Sequence, residues 1–236
     1  MPPAEPAALE VIDLGKSFGP AVALASVSCS VAPGEFVTLF GPNGAGKTTL
    51  IRIAATLARP THGEVLLFGR DVRKAPELRR RIGVVSHRSF LYGELTAREN
   101  LTFFGRLFDP VGAEERAIAA ARAVGLEDRL DDSVRSFSRG LEQRCSIARA
   151  LVHEPDMLLL DEPFAGLDPL AASNLETVLR GAHESGKTII MTSHDLAQGA
   201  LLAQRIGILH YGSLRYWGEC PPDLQATFNA CVGGPS

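Results

Sequence analysis

The segment Gly41-Pro42-Asn43-Gly44-Ala45-Gly46-Lys47-Thr48 places glycines at its first, fourth and sixth positions and ends in a lysine and a hydroxyl residue. That arrangement holds phosphate. Glycines let successive backbone N–H groups converge on one anion, and a helix starting at the loop adds its electropositive end. Lys47 contributes a full charge, whose attraction for one phosphate charge at about 4 Å is about 4 kcal/mol in an effective dielectric near 20, before desolvation. Thr48 offers a hydroxyl oxygen to Mg²⁺, a hard ion that takes oxygen ligands. The setting agrees with the pattern G-x-x-x-x-G-K-[ST]: apolar Phe36-Val37-Thr38-Leu39-Phe40 precedes the loop and an amphipathic run follows it.

A second constellation, Met157-Leu158-Leu159-Leu160-Asp161-Glu162, is an apolar strand pattern ending in two carboxylates. Neighbouring strand residues point to opposite sides, so the two acids need not share a job. Asp161 is suited to hold a water on Mg²⁺. Glu162 is suited to face the terminal phosphate and to orient, or take a proton from, the attacking water. Alone, this would be an acidic strand end turning at Pro163; beside a phosphate loop it reads as chemistry.

The elements that must carry these groups follow from two alternating periodicities. Short apolar runs predict strands over Glu35–Phe40, Glu64–Phe68, Ile82–Val85, Met157–Leu160, Thr188–Met191 and Arg205–Leu209. Several are apolar at every position, as expected of a parallel sheet covered on both faces by helices. Lys47–Leu57 would bury Leu50, Ile53, Ala54 and Leu57, and Leu141–Val152 would bury Leu141, Cys145, Ala148 and Val152. From about Ser89 to Glu154 strand signals vanish, and helical patterns at Thr96–Leu107 and Ala113–Val124 take over. The expected organisation is a single domain with its core over about 8–88 and 155–218, an inserted helical subdomain over about 89–154, and frayed tails at 1–7 and 219–236.

Composition sets the bounds. The 236 residues are 45% hydrophobic and 22% charged, a folded globular balance that excludes wholesale disorder. A net charge of -3 offers no field to attract a polyanion, so direct nucleic-acid binding is not expected. The four cysteines, Cys29, Cys145, Cys220 and Cys231, form no C-x-x-C pair and suggest neither zinc nor a disulfide framework. No apolar run spans a bilayer and the N-terminus lacks a signal pattern, so any membrane role is expected to come through a partner.

Phe137-Ser138-Arg139-Gly140-Leu141-Glu142-Gln143-Arg144, Ala165-Gly166-Leu167-Asp168 and Thr192-Ser193-His194-Asp195 add three further motifs. With the phosphate loop and the acidic strand end, they resemble the signature, D-loop and switch-histidine set of ABC ATPases over about residues 8 to 218. The resemblance implies an α/β P-loop NTPase fold: a RecA-like parallel-sheet core, an N-terminal antiparallel β subdomain and an inserted helical subdomain. It implies ATP and Mg²⁺ as ligands, with Thr49 joining the phosphate contacts of Gly41 to Thr48. It further implies a head-to-tail homodimer in which Ser138 and the Gly140 N–H of one subunit bind the γ-phosphate held by the other. A simple helix cap is the local alternative for Ser138. His194 would hydrogen-bond the γ-phosphate and the lytic water. Phe18 stands where the family stacks an aromatic on adenine, with a plain core phenylalanine as the alternative.

Two departures stand out. His87 replaces the glutamine of the glutamine loop, and imidazole is a poorer Mg²⁺ ligand than an amide oxygen, so His87 would contact the attacking water or a partner. The signature reads Ser138-Arg139-Gly140-Leu141 where the common form is S-G-G-Q, so Arg139 would pair with phosphate, pair with an acidic partner residue, or lie solvated. With Leu95-Thr96-Ala97-Arg98-Glu99-Asn100-Leu101 and the run from Phe137 to Leu151, these departures look like the ATP-binding subunit of the heme exporter of cytochrome c maturation. That likeness implies a location on the cytoplasmic face of a bacterial inner membrane, with a separate transmembrane heme-exporter subunit as partner. An ATPase of a drug, lipid or other exporter is the alternative. A soluble ABC ATPase acting on nucleic acid or ribosomes is less favoured, because only about 50 residues separate His87 from Ser138, and a sensing module without turnover is disfavoured by Glu162 and His194. Aromatics at Phe90, Tyr92, Phe103 and Phe104, with Leu91, mark a docking groove for a membrane partner's helix or part of a core.

Overall fold

The computed structural model describes residues 6–86 and 89–233. Its first strands, β1 (Leu9–Phe18) and β2 (Ala21–Val31), are followed by β3 (Phe36–Phe40), α1 (Lys47–Ala54), β4 (His62–Leu67), β5 (Arg70–Asp71) and β6 (Ile82–Val85). Three helices come next: α2 (Ala97–Phe108), α3 (Ala113–Ala123) and α4 (Arg139–Leu151). The chain then returns through β7 (Met157–Leu160), α5 (Pro169–Glu184), β8 (Thr188–Ser193), α6 (Leu196–Ala200), β9 (Arg205–His210), β10 (Ser213–Glu219) and α7 (Leu224–Val232).

A six-stranded sheet has the order β10-β9-β3-β8-β7-β6, parallel except for its β9–β10 hairpin edge. A second sheet of four antiparallel strands, β2-β1-β4-β5, covers α1. The all-apolar strands explain the layering. Met157 and Leu159 of β7 point into the cluster shared with α1 and the antiparallel sheet, while Leu158 and Leu160 point into the cluster beneath α2 to α5. All four are fully buried, and such burial contributes about 1.5–3 kcal/mol for each large aliphatic side chain. With both faces covered and parallel neighbours on both sides, the C-terminal ends of β3, β7 and β8 converge on one rim of the sheet.

The helical insert is fixed by local chemistry. Thr96 caps α2 by accepting from the Glu99 N–H at 3.1 Å, and the Glu99 carboxylate accepts from the Thr96 N–H at 2.8 Å. Buried Asn100 accepts from the Tyr92 N–H at 2.8 Å and donates to the Tyr92 carbonyl at 2.9 Å, pinning the approach to α2.

Three sequence expectations need correction. The helix expected to reach Leu57 ends at Ala54, because Thr56 adopts a left-handed φ of 61°, and Leu57 is left 56% exposed. The strand expected over Glu64–Phe68 runs from His62 to Leu67 in the antiparallel sheet, and it stops where Phe68 turns through φ 49°. The C-terminal segment 219–236 is no frayed tail through its described part. Asp223 caps α7 through the Ala226 N–H at 2.8 Å, and Leu224, Phe228, Cys231 and Val232 pack against Phe40, Ile206 and Ile208. Those four positions have the i, i+4, i+7, i+8 spacing of one helix face.

Candidate functional site

The glycine loop leaves β3 at the sheet rim and turns directly into α1. Gly41, Gly44 and Gly46 all have positive φ, at 152°, 80° and 107°. At Gly41 a Cβ would lie 2.3 Å from the Leu209 carbonyl oxygen, and at Gly46 it would lie 2.5 Å from that of Ala23, so glycine is required at both. The first turn of α1 has no side-chain cap and no acidic residue, which leaves its N-terminal dipole to an external anion. Lys47 is 6% exposed; its Nζ donates to the Gly41 carbonyl at 2.6 Å and lies 3.5 Å from Glu162 Oε1. An uncapped helix end beside a buried lysine suits a phosphate chain.

On the neighbouring strands, register brings the remaining polar groups together. Leu160 of β7 pairs with Met191 of β8, so Asp161 and Thr192 follow as neighbours. The Thr192 hydroxyl donates to Asp161 Oδ1 at 2.9 Å and accepts from the Glu162 N–H at 2.8 Å. Thr48 Oγ1 donates to the same Asp161 oxygen at 2.9 Å. Asp161 is 4% exposed. Glu162 bends the chain out of the strand with φ 52°, a left-handed conformation that costs about 1 kcal/mol or more in a residue with a Cβ. His194 Nδ1 then sits 2.8 Å from Glu162 Oε2. Glu162 therefore lies between Lys47 and His194, while Asp161 lies one step deeper beneath Thr48.

This set fits Mg²⁺ with ATP. No cluster of three or more His, Cys, Asp or Glu side chains suited to a metal occurs among the described residues, so the protein offers the Thr48 hydroxyl and the Asp161 carboxylate. Mg²⁺ commonly completes such a site with phosphate oxygens and waters. The phosphate loop, Glu162 and Phe18 line one groove of about 360 Å³. Phe18 is 57% exposed, with Lys16 Nζ 4.7 Å from its ring centroid, so it is no core phenylalanine.

The remaining expected residues lie elsewhere. Ser138 and Gly140 do not line this groove; Ser138 is the N-cap of α4, accepting from the Leu141 N–H at 3.4 Å. Gly140 packs tightly on α5, where a Cβ would come within 2.8 Å of the Ala171 Cβ. His87 lies outside the described residues. Arg139 is not simply solvated: its Nη2 donates to the Ala165 carbonyl at 2.8 Å. Thr192 is the group that sequence reasoning left without a role. Its signal was its place near the end of a buried strand, two residues before His194.

A glycine loop feeding a helix at the rim of a mainly parallel sheet, opposite a strand-ending acid, defines a P-loop nucleoside triphosphatase. The helical insert and the three accompanying motifs narrow that class. The chain belongs to the ABC transporter family, whose model matches residues 24–165, and it is an ATP-hydrolysing cassette of that family. It is 39% identical over 209 residues to the Nod factor export ATP-binding protein I of Paraburkholderia xenovorans, covering 87% of this chain and 69% of that one. It is 34% identical over 209 residues to the linearmycin resistance ATP-binding protein LnrL of Bacillus subtilis, covering 87% and 67%. Among solved structures, the dimeric post-hydrolysis state of the cassette MJ0796 bound to ADP and Pi superimposes with a TM-score of 0.81 at 27% identity, covering 90% of this chain and 99% of that one. The two relatives act in Nod factor export and linearmycin resistance by name, not in heme export.

Proposed function

We propose that this chain is the motor subunit of an exporter for small molecules of the antibiotic or lipid-like class, working as a homodimer on a separate membrane permease. The reading is supported by relatives named for Nod factor export, linearmycin resistance and, at 36% identity over 208 residues, daunorubicin/doxorubicin resistance. These names favour the export alternative over heme export. No described helix is long and apolar enough to cross a membrane, so a membrane step calls for a partner.

The observation that carries the catalytic reading is the hydrogen-bonded series Thr48, Asp161, Thr192, Glu162, His194 beside the open end of α1. Bound Mg²⁺ supplies charge neutralisation for the phosphates. Lys47 exchanges its contact with Glu162 for phosphate oxygens, which frees the Glu162 carboxylate to orient water. Glu162 then takes the proton of that water as the general base. His194 holds the Glu162 carboxylate in place and contacts the γ-phosphate. Phe18 stacks on the adenine, and Gly41 to Thr49 hold the phosphates. Ser138 and Gly140 complete the site held by the opposite subunit, using the electropositive tip of α4.

A groove of about 620 Å³ between the core and the helical insert provides the permease contact. Phe90 and Tyr92 are about half exposed on its wall. Arg149 lies between the Phe90 and Phe104 rings, 5.7 and 5.3 Å from their centroids, and its Nε has no hydrogen-bond partner. Burial pulls its pKa down to about 10. An apolar helix bearing one carboxylate complements that surface. Affinity purification from native membranes tests the assignment. A permease whose loss sensitises cells to a lipophilic antibiotic supports it, and recovery with cytochrome c assembly factors instead returns the heme reading.

A further inference from the structure

We propose that Arg139 is a positioning residue that ties the tip of α4 to the loop leaving Glu162, so that engagement of the tip by one nucleotide sets the base acting on the other. The inference rests on the dimeric site described above. Its own observations lie within one subunit.

Arg139 occupies the first position of α4, where a cation opposes the helix dipole and a solvated side chain would turn away. Instead the guanidinium folds over the loop after Glu162 and donates to the Ala165 carbonyl at 2.8 Å. The space is made by Gly166, at φ +70°: a Cβ there would lie 2.7 Å from Arg139 Cζ and 2.9 Å from its Nε. One turn along the same helix face, Gln143 Nε2 donates to the Pro163 carbonyl at 2.9 Å. Two side chains spaced i, i+4 thus grip the first and third carbonyls after Glu162. Asp168 fixes the far end of the loop by capping α5 through the Ala171 N–H at 2.8 Å.

This geometry joins groups that serve different nucleotides. Ser138, next to Arg139, acts on the nucleotide held by the opposite subunit, while Glu162, three residues before Ala165, acts on the subunit's own. A displacement of the α4 tip is transmitted through Arg139 and Gln143 into the segment that holds the Glu162 carboxylate. The alternative, in which Arg139 binds phosphate across the interface, requires it to leave Ala165 and predicts an effect on nucleotide affinity.

Steady-state hydrolysis of Mg-ATP by the full chain separates the two. Arg139→Ala is expected to lower kcat about tenfold, the loss of one hydrogen bond that orders the base, with KM within about twofold. Arg139→Lys, which keeps one donor for Ala165, is expected to recover most of the loss. Gly166→Ala places a methyl group where the guanidinium lies and is expected to lower kcat similarly; because both substitutions break one contact, the double variant falls little further. A raised KM with unchanged kcat, fully additive losses, or an Arg139→Ala protein as active as the wild type overturns the proposal. Glu162→Gln serves as the control. If it retains turnover, the reading of the site itself fails; if it is inactive while Arg139→Ala is unaffected, only the tether fails.

Discussion

Thr192 offers the sharpest test of how the site is built, because one buried hydroxyl serves both carboxylate-bearing residues. Thr192→Val keeps the shape and removes the donor to Asp161 at 2.9 Å and the acceptor for the Glu162 N–H at 2.8 Å. A hydrogen bond to a charged group contributes about 1.5–3 kcal/mol, and a buried N–H left unpaired costs about 1–3 kcal/mol. Thr192 is fully buried, so solvent offers little compensation, and a net loss of about 3 kcal/mol is expected after partial relaxation. In a chain of this size that lowers Tm by about 6–12 °C. The substitution also frees Glu162 from its anchored backbone turn, so kcat is expected to fall more than KM changes. Differential scanning calorimetry and steady-state hydrolysis on the same preparation read both effects. A Tm within 2 °C of the wild type together with unchanged kcat would refute the claim that Thr192 locks the two acids together.

Two further expectations concern groups away from the chemistry. Burial is the main cause that holds the His153 pKa below its ordinary value, reinforced by Arg149, Lys187 and Arg80 and opposed by the bond to the Ile82 carbonyl. Its stability contribution is therefore complete above the unfolded value near 6.5 and declines as pH falls below it toward the depressed folded value. His153→Phe, which keeps the 3.9 Å stack on Phe108, is expected to flatten the urea-unfolding profile between pH 6.5 and 5; an unchanged slope would contradict this. Burial also pushes the Cys29 and Cys145 thiols up to about 12, whereas Cys220 is exposed. Alkylation of the folded protein at pH 8, followed by peptide mapping, is expected to label Cys220 first and leave Cys145 intact, and early Cys145 labelling would show that α4 opens readily.

Much of the core was legible because it depends on local signals. The strands Ile82–Val85 and Met157–Leu160 have the bounds that apolar runs predict, since a strand buried on both faces announces itself at every residue. The phosphate loop is equally local. The long strands β1 and β2 were harder to read, for they bury one face irregularly and their pairing slips register at several points. The α7 face was obscured by short length and nearby prolines and glycines. Contacts set by tertiary register were invisible: Thr192 meets Asp161 only because β7 and β8 pair as they do, and Arg139 reaches Ala165 across 26 positions of sequence. Charge at Arg139 suggested phosphate, an acidic partner residue or solvent, and only the fold supplies a carbonyl beside a glycine.

Two copies of this chain are proposed to enclose ATP between the glycine loop of one and the Ser138 helix tip of the other. The most direct measurement is a crystal structure of the Glu162→Gln protein grown with Mg-ATP, accompanied by its mass in solution. An ATP-dependent dimer is expected, with Ser138 Oγ and the Gly140 N–H within hydrogen-bond reach of the γ-phosphate bound by the opposite subunit. A protein that binds ATP yet remains monomeric, or a dimer that holds Ser138 away from both nucleotides, would contradict it.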